Sequence, residues 1–348
     1  MKKETTGIGI AMVYIGTLIG AGFASGQELF QFFGKFGTLG LVGISIASIL
    51  FSLIGYAVLI LSSRNKSYDV EQIVLPFENK TLKIFISWFF LVFLLGIFVV
   101  MLAGSGAMFY EQFAFKPWVG SIVMMVLVFL TTFSGKEGII KSFKIVVPLL
   151  IFGMLTVVIL VLTKTEWDTI DNFSDYEGLS FITSAILFVS CNMVMAVSVL
   201  VPLGKEVKSK STAIMGALLG GVILGITGLL AVFSMITNIE ALAGAEVPLV
   251  LLASAVSQKT GNLYSIILFA GIYTTAVGCL FALEEKLSPH LQVNAKIFNI
   301  FILITAFLLS DVGFSRLVAI IYRISGYVGL ILLMGVTINF LKNKTIKS

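Results

Sequence analysis

Ten stretches of this chain are each long and apolar enough to cross a lipid bilayer, and that succession constrains the fold more than any other feature. A spanning helix needs about 20 mostly apolar residues. The stretches are 7–34, 38–62, 81–108, 118–134, 138–162, 179–203, 212–237, 262–284, 296–312 and 316–341. The alternative, a large soluble core, fails on charge. Only 12% of the 348 residues are charged and 58% are hydrophobic, against about 25% charged in soluble domains. So few charges cannot clothe a water-soluble globule, which excludes a soluble enzyme, a nucleic-acid binder and a disordered tail. The expected class is an all-α polytopic membrane protein, residues 1–348 forming a single transmembrane domain. The apolar segment 241–258 is short and begins among Glu240 and Glu246, so it reads as a helical hairpin or re-entrant cap. Cys191 and Cys279 lie inside apolar runs and do not read as a disulfide framework or a metal site.

Lysine and arginine placement orients the spans. With the N-terminus inside, seventeen of the 23 basic residues fall on inner segments, among them Lys2, Lys3, Arg64, Lys136, Lys205 and Lys342. The outer segments hold five: Lys35, Lys116, Lys164, Lys259 and Arg316. Both termini are therefore expected in the cytoplasm of a cell carrying the protein in its plasma membrane, which requires an even number of spans. Lys2 and Lys3 before an apolar run, with Gly22-Phe23-Ala24 behind it, imitate a cleavable secretory signal. Cleavage there would leave an odd number of spans and break the charge pattern.

Two places favour interrupted helices. Gly20-Ala21-Gly22-Phe23-Ala24-Ser25-Gly26 puts three glycines midway along the first span, each costing a helix about 1 kcal/mol relative to alanine. Gln27 and Glu28 follow at once. A small-residue packing face is the other use of such glycines. Ser190-Cys191-Asn192 interrupts the sixth span similarly, or else Asn192 hydrogen-bonds across a helix interface. Irregular backbone at membrane depth survives only where it lines a cavity. The two interruptions open the two halves, 1–162 and 179–341, of five spans each. An odd number per half inverts the second, the pattern of a 5+5 inverted repeat with a midplane substrate site between its broken first helices.

The first-span motif Gly20–Glu28, followed by Phe30, Phe32 and Phe33, resembles that of the YkvI-like bacterial membrane proteins, members of the amino acid–polyamine–organocation superfamily. A more distant similarity lies in the eighth span. Phe269-Ala270-Gly271-Ile272-Tyr273-Thr274-Thr275, then Ala282-Leu283-Glu284-Glu285, looks like the eighth helix of the LeuT-type sodium symporters. That resemblance implies a sodium ion held by the Ala270 carbonyl, the Thr274 hydroxyl and carbonyls near Ile19 and Gly22. The remaining hydroxyl position falls on Tyr273, which departs from the pattern, with Thr275 as a substitute. The chemistry is apt, since a hard cation wants oxygen ligands, although threonine hydroxyls in membranes also bond back to their own helix.

Charges at membrane depth mark function by default. Glu28 lies just past the first-span break, and Arg323 about two turns into the tenth span. In LeuT-type folds these helices carry a charged outer gate, which implies a gate of Gln27, Glu28 and Arg323. Alternatively Glu28 binds a substrate amine or a proton, or Arg323 a substrate carboxylate. Lys144, opening the fifth span, is either a substitute for the sodium ion or a snorkelling anchor. The expected function is a cation-coupled symporter, with sodium favoured over protons. Its solute is a small amino acid or relative held by Gly20–Gly26 and Ser190–Asn192. A ligand sensor of the same fold and a passive channel are the alternatives. No nucleophile triad, phosphate loop or catalytic carboxylate pair is present, so no enzyme is expected.

Overall fold

A computed structural model describes residues 6–65, 70–74, 80–131, 135–164, 179–291 and 294–345, without the side chains of 65, 71–72, 80, 135–145, 285–286, 288–291, 295 and 343–345. Among the described residues the long regular elements are all helices. In chain order they are α1 (Gly7–Leu18), α2 (Ala21–Ser25), α3 (Gln27–Phe32), α4 (Thr38–Asn65), α5 (Val70–Val74), α6 (Lys80–Phe113) and α7 (Pro117–Thr131). There follow α8 (Gly135–Lys164), α9 (Ser180–Leu203), α10 (Lys210–Ile236), α11 (Pro248–Val256), α12 (Gln258–Leu291), α13 (Ala295–Ser310) and α14 (Phe314–Thr345).

Among the described residues seven helices are long and apolar enough to cross a membrane: α4, α6, α8, α9, α10, α12 and α14. Three shorter apolar helices, α1, α7 and α13, fall in the other apolar stretches. Large apolar side chains point outward from this bundle; Phe152 is 75% exposed and Leu308 68%. In water such a surface would be untenable, whereas lipid accepts it.

The first span is interrupted where its glycines predict. The helix stops at Ile19 (φ −78°, ψ 70°), and Gly20 is extended (φ −88°, ψ −173°). A second discontinuity falls at Gly26, whose φ of +81° is a left-handed conformation that side chains disfavour. Three short helices thus replace one long one.

The sixth span corrects the expectation. α9 runs unbroken from Ser180 to Leu203. The Ser190 hydroxyl donates to the Ile186 carbonyl at 2.7 Å, and the Asn192 amide to the Phe188 carbonyl at 3.0 Å. Both polar groups are satisfied by the preceding turn of their own helix, so nothing requires unwinding.

Close helix approach rests on small residues. A methyl on Gly216 of α10 would meet Ile10 of α1 at 2.8 Å, and one on Gly228 would meet Ile44 of α4 at 2.9 Å. Tyr14 pins α1 in place, its hydroxyl donating to the Phe51 carbonyl at 2.9 Å and lying 3.3 Å from the Met193 sulfur. The segment 241–258 forms a cap, as expected, built on α11. Glu111 at the end of α6 accepts from the backbone N–H groups of Glu246 and Val247, just ahead of that helix. Lys164 donates to the Val256 carbonyl at its far end, at 2.8 Å.

Candidate functional site

The interruption between α1 and α2 borders a cavity of about 680 Å³, within the usual range for small-molecule sites. Ile19, Gly20, Ala21 and Gly22 line it from the first span, Cys191 and Asn192 from α9, and Thr274, Thr275 and Cys279 from α12. Tyr322 of α14 and Glu28 of α3 complete the polar part. The remaining walls are apolar, with Phe93, Ile97, Met101 and Met195 among them.

Glu28 is the acidic group of this wall. It is 4% exposed, and among the described residues no hydrogen-bond partner reaches its Oε2. Its polar neighbours are the Tyr322 hydroxyl and the Asn192 side chain. A methyl on Gly22 would overlap the Glu28 carboxylate and lie 2.9 Å from the Tyr322 oxygen. The glycine therefore lets the carboxylate rest against the α2 backbone.

One helical turn from Asn192, aromatic rings that do not line the cavity cluster together. Phe188 of α9 stands with its centroid 5.0 Å from that of Phe33, 5.4 Å from Phe32, 5.8 Å from Phe51 and 6.3 Å from Phe23. The cavity itself follows α1 toward its N-terminal end, past Gly16 to Met12 and Val13, and meets Val147, Pro148 and Phe152 of α8. Met12 and Phe152 are well exposed. The cavity thus reaches the surface of the bundle beside Met12 and Phe152.

The remaining first-span motif residues hold the bend rather than line the cavity. Phe23, Ala24, Ser25 and Gly26 are buried. The Tyr264 hydroxyl donates to the Ala24 carbonyl, and the Ser25 hydroxyl to the Gly22 carbonyl at 2.9 Å. Gln27 is turned to the start of α14, its amide donating to the Ser315 hydroxyl at 2.8 Å. Ser190 lies against α14, where a methyl on Gly329 would meet its carbonyl carbon at 2.7 Å.

Of the expected ion ligands, the structure brings Thr274 and Thr275 to the cavity with Ile19 and Gly22. Both hydroxyls donate to the Gly271 carbonyl, at 2.9 and 3.1 Å. That back-bonding spends their protons and leaves oxygen lone pairs available. Ala270 and Tyr273 do not line the cavity. The Tyr273 hydroxyl is 2.7 Å from that of Thr131 on α7. The Lys144 side chain lies outside the described residues.

The expected pairing of Glu28 with Arg323 is not formed. Successive residues on a helix diverge by about 100°, and it is Tyr322 that faces Glu28. Arg323 is exposed and lines a separate cavity of about 290 Å³ with Gln31, Lys35, Ser180, Thr183 and Ser184. There burial, and then the charge of Arg323, hold the Lys35 ammonium below its ordinary pKa. Two residues that sequence reasoning missed are Tyr322 and Cys279. Cys279 was within reach of a helical-face argument, lying four residues beyond Thr275.

No family model matches the chain. Among solved structures it resembles the inward-facing conformation of Mhp1, with a TM-score of 0.61 and 15% identity, over 93% of this chain and 73% of that one. It also resembles a manganese transporter from Eremococcus coleocola in complex with an aromatic bis-isothiourea substituted compound. There the TM-score is 0.61 at 13% identity, over 93% of this chain and 76% of that one. The molecule is thus a multi-pass helical membrane protein with the LeuT-type fold. Sequence narrows this further. The chain belongs to the YkvI family, being 32% identical over 321 residues to the uncharacterized membrane protein YkvI of Bacillus subtilis (strain 168), 92% of each chain. It is also 27% identical over 328 residues to the uncharacterized protein YyaD of the same organism, over 93% of this chain and 94% of that one.

Proposed function

We propose that this protein is a secondary active transporter of the amino acid–polyamine–organocation superfamily. It would carry a small amino acid or related organic solute across the plasma membrane by alternating access. The observation that carries the reading is the cavity at the interrupted first span, lined by a buried acid within a LeuT-type bundle.

The proposal counts ten spans, α1 to α3 forming the first, in inverted halves 1–162 and 179–341. The packing supports this. Exchange of the halves relates α1 on α10 to α9 on α4, and α6 on α14 to α12 on α8. It maps α4 on α10, and α6 on α12, onto themselves. One relation is weaker than its counterpart: α9 packs along α14, whereas the first span meets α8 at fewer places, such as Gly16 against Val147, beside the cavity. A departure from symmetry at the cavity is what alternating access between two such halves requires. The proposal has both termini in the cytoplasm, which the seventeen-to-five charge asymmetry supports, and the Met12 side of the cavity facing inward.

Coupling to sodium is supported by the Thr274 and Thr275 oxygens standing across from the irregular backbone at Ile19–Gly22. Protons are the alternative coupling ion. No catalytic role is proposed. The test is uptake by purified protein in proteoliposomes, with leucine as the first solute. Accumulation that needs an inward sodium gradient, or failing that a proton gradient, and collapses with it is the expected result. Equilibration that ignores every gradient would mean a channel, and saturable binding without flux a sensor. Either outcome overturns the reading.

A further inference from the structure

We infer that the cavity recognises its solute by a cationic amine, which Glu28 holds together with Tyr322 and Asn192. The inference deepens the transporter reading and rests on it. It begins from the unsatisfied carboxylate oxygen. Glu28 is 4% exposed with no hydrogen-bond partner at Oε2, and it borders a cavity large enough for a small organic molecule. Among the described residues lining that cavity there is no lysine, arginine or histidine. A buried carboxylate without a cation is costly, and a ligand that brings the cation removes the cost.

The neighbouring atoms fit the same chemistry. An alkylammonium group has three N–H donors. The Glu28 carboxylate is the principal acceptor, and the Tyr322 and Asn192 side chains that interact with it keep oxygen lone pairs for further N–H groups. One N–H of the Asn192 amide donates to the Phe188 carbonyl, leaving its second N–H for the Glu28 carboxylate and its oxygen for an ammonium donor. The lining also includes Ile97, Met101 and Met195, a surface suited to a hydrocarbon body.

The same geometry disfavours a solute held chiefly by its carboxylate. Such recognition needs donors, and the continuous α9 removes one of the two half-helix N-termini that a doubly broken bundle would present. The class is therefore a primary amine with an apolar body of about leucine size, zwitterionic amino acids being admitted through their ammonium group.

A matched series isolates the two ends of such a solute. Isoamylamine is leucine without its carboxylate, and isocaproate is leucine without its amine. Binding to purified wild-type protein in detergent is read as a concentration-dependent melting shift. Isoamylamine and leucine should bind saturably and isocaproate should not. Glu28→Gln should weaken isoamylamine binding at least tenfold, the scale of a charge-assisted hydrogen bond. Tyr322→Phe should weaken it severalfold. Glu28→Asp retains the charge and, with a check of monodispersity, guards against a Gln variant that fails to fold; it should bind better than Glu28→Gln.

Isocaproate binding as well as leucine overturns the inference, as does absence of any isoamylamine shift or wild-type amine affinity in Glu28→Gln. The two readings fail separately. Gradient-driven leucine uptake with undiminished affinity in Glu28→Gln keeps the transporter and removes the amine site. Saturable amine binding without flux in any gradient does the reverse.

Discussion

The two glycines nearest the bend, Gly20 and Gly22, are two residues apart and should respond oppositely to alanine. At Gly20 the backbone is extended, with φ of −88°, which alanine adopts freely. The nearest atom to an added methyl is the Thr275 hydroxyl oxygen at 3.8 Å, an ordinary contact. Gly20→Ala should leave the fold intact or stabilise it by about 0.4–1 kcal/mol through a less flexible unfolded chain. At Gly22 the methyl would overlap the Glu28 carboxylate, with its Cδ at 2.7 Å and the Tyr322 oxygen at 2.9 Å. The carboxylate is the end of a flexible side chain and can retreat. The cost to stability should thus sit near the low end of overpacking, about 1 kcal/mol. Its retreat, however, removes it from the place where a solute meets Tyr322 and Asn192. Affinity should fall tenfold or more, which corresponds to about 1.4 kcal/mol. The assay is paired: apparent melting temperature without ligand, and saturation binding of isoamylamine, for each variant. Gly22→Ala with wild-type affinity, or Gly20→Ala as damaging as Gly22→Ala, would refute the placement of the carboxylate against the α2 backbone.

Three other outcomes follow from the geometry. Gly26→Ala forces a side chain into a φ of +81° and a methyl against Leu249 at 2.9 Å, so a loss of roughly 2 kcal/mol or more is expected, read as a lower detergent-solution melting temperature. Tyr273→Phe should leave any sodium dependence of uptake unchanged, whereas Thr275→Val should weaken it; the opposite order would restore Tyr273 as an ion ligand. Gly220→Val drives side-chain atoms into the Tyr14 ring between α10 and α1 and should lower the yield of monodisperse protein; wild-type yield would show that these helices are not in close contact there.

The parts of this architecture that depend on composition were readable from the chain, and the parts that depend on which face a residue occupies were not. Hydrocarbon length and apolarity define where spans lie, and three glycines in seven residues make an unbroken first span expensive, so both features survive without coordinates. The same reasoning failed at Ser190 and Asn192. A polar side chain can bond to the turn before it, and composition does not distinguish that from an unwound segment. Helical phase caused the other errors. The Tyr273 hydroxyl turns to Thr131 while Thr274 and Thr275 line the cavity, and Tyr322 rather than Arg323 faces Glu28. In each case a shift of one residue turns the side chain by about 100°. The gate error also had a separate source. A search for opposite charges at membrane depth finds pairs that neutralise each other, and such pairs are complete without a ligand. Glu28 has a phenol and an amide beside it instead of a base. Among the described residues no base lines its cavity, which is what the proposed cationic solute would supply, and a pairing rule applied to the sequence passes over that distinction.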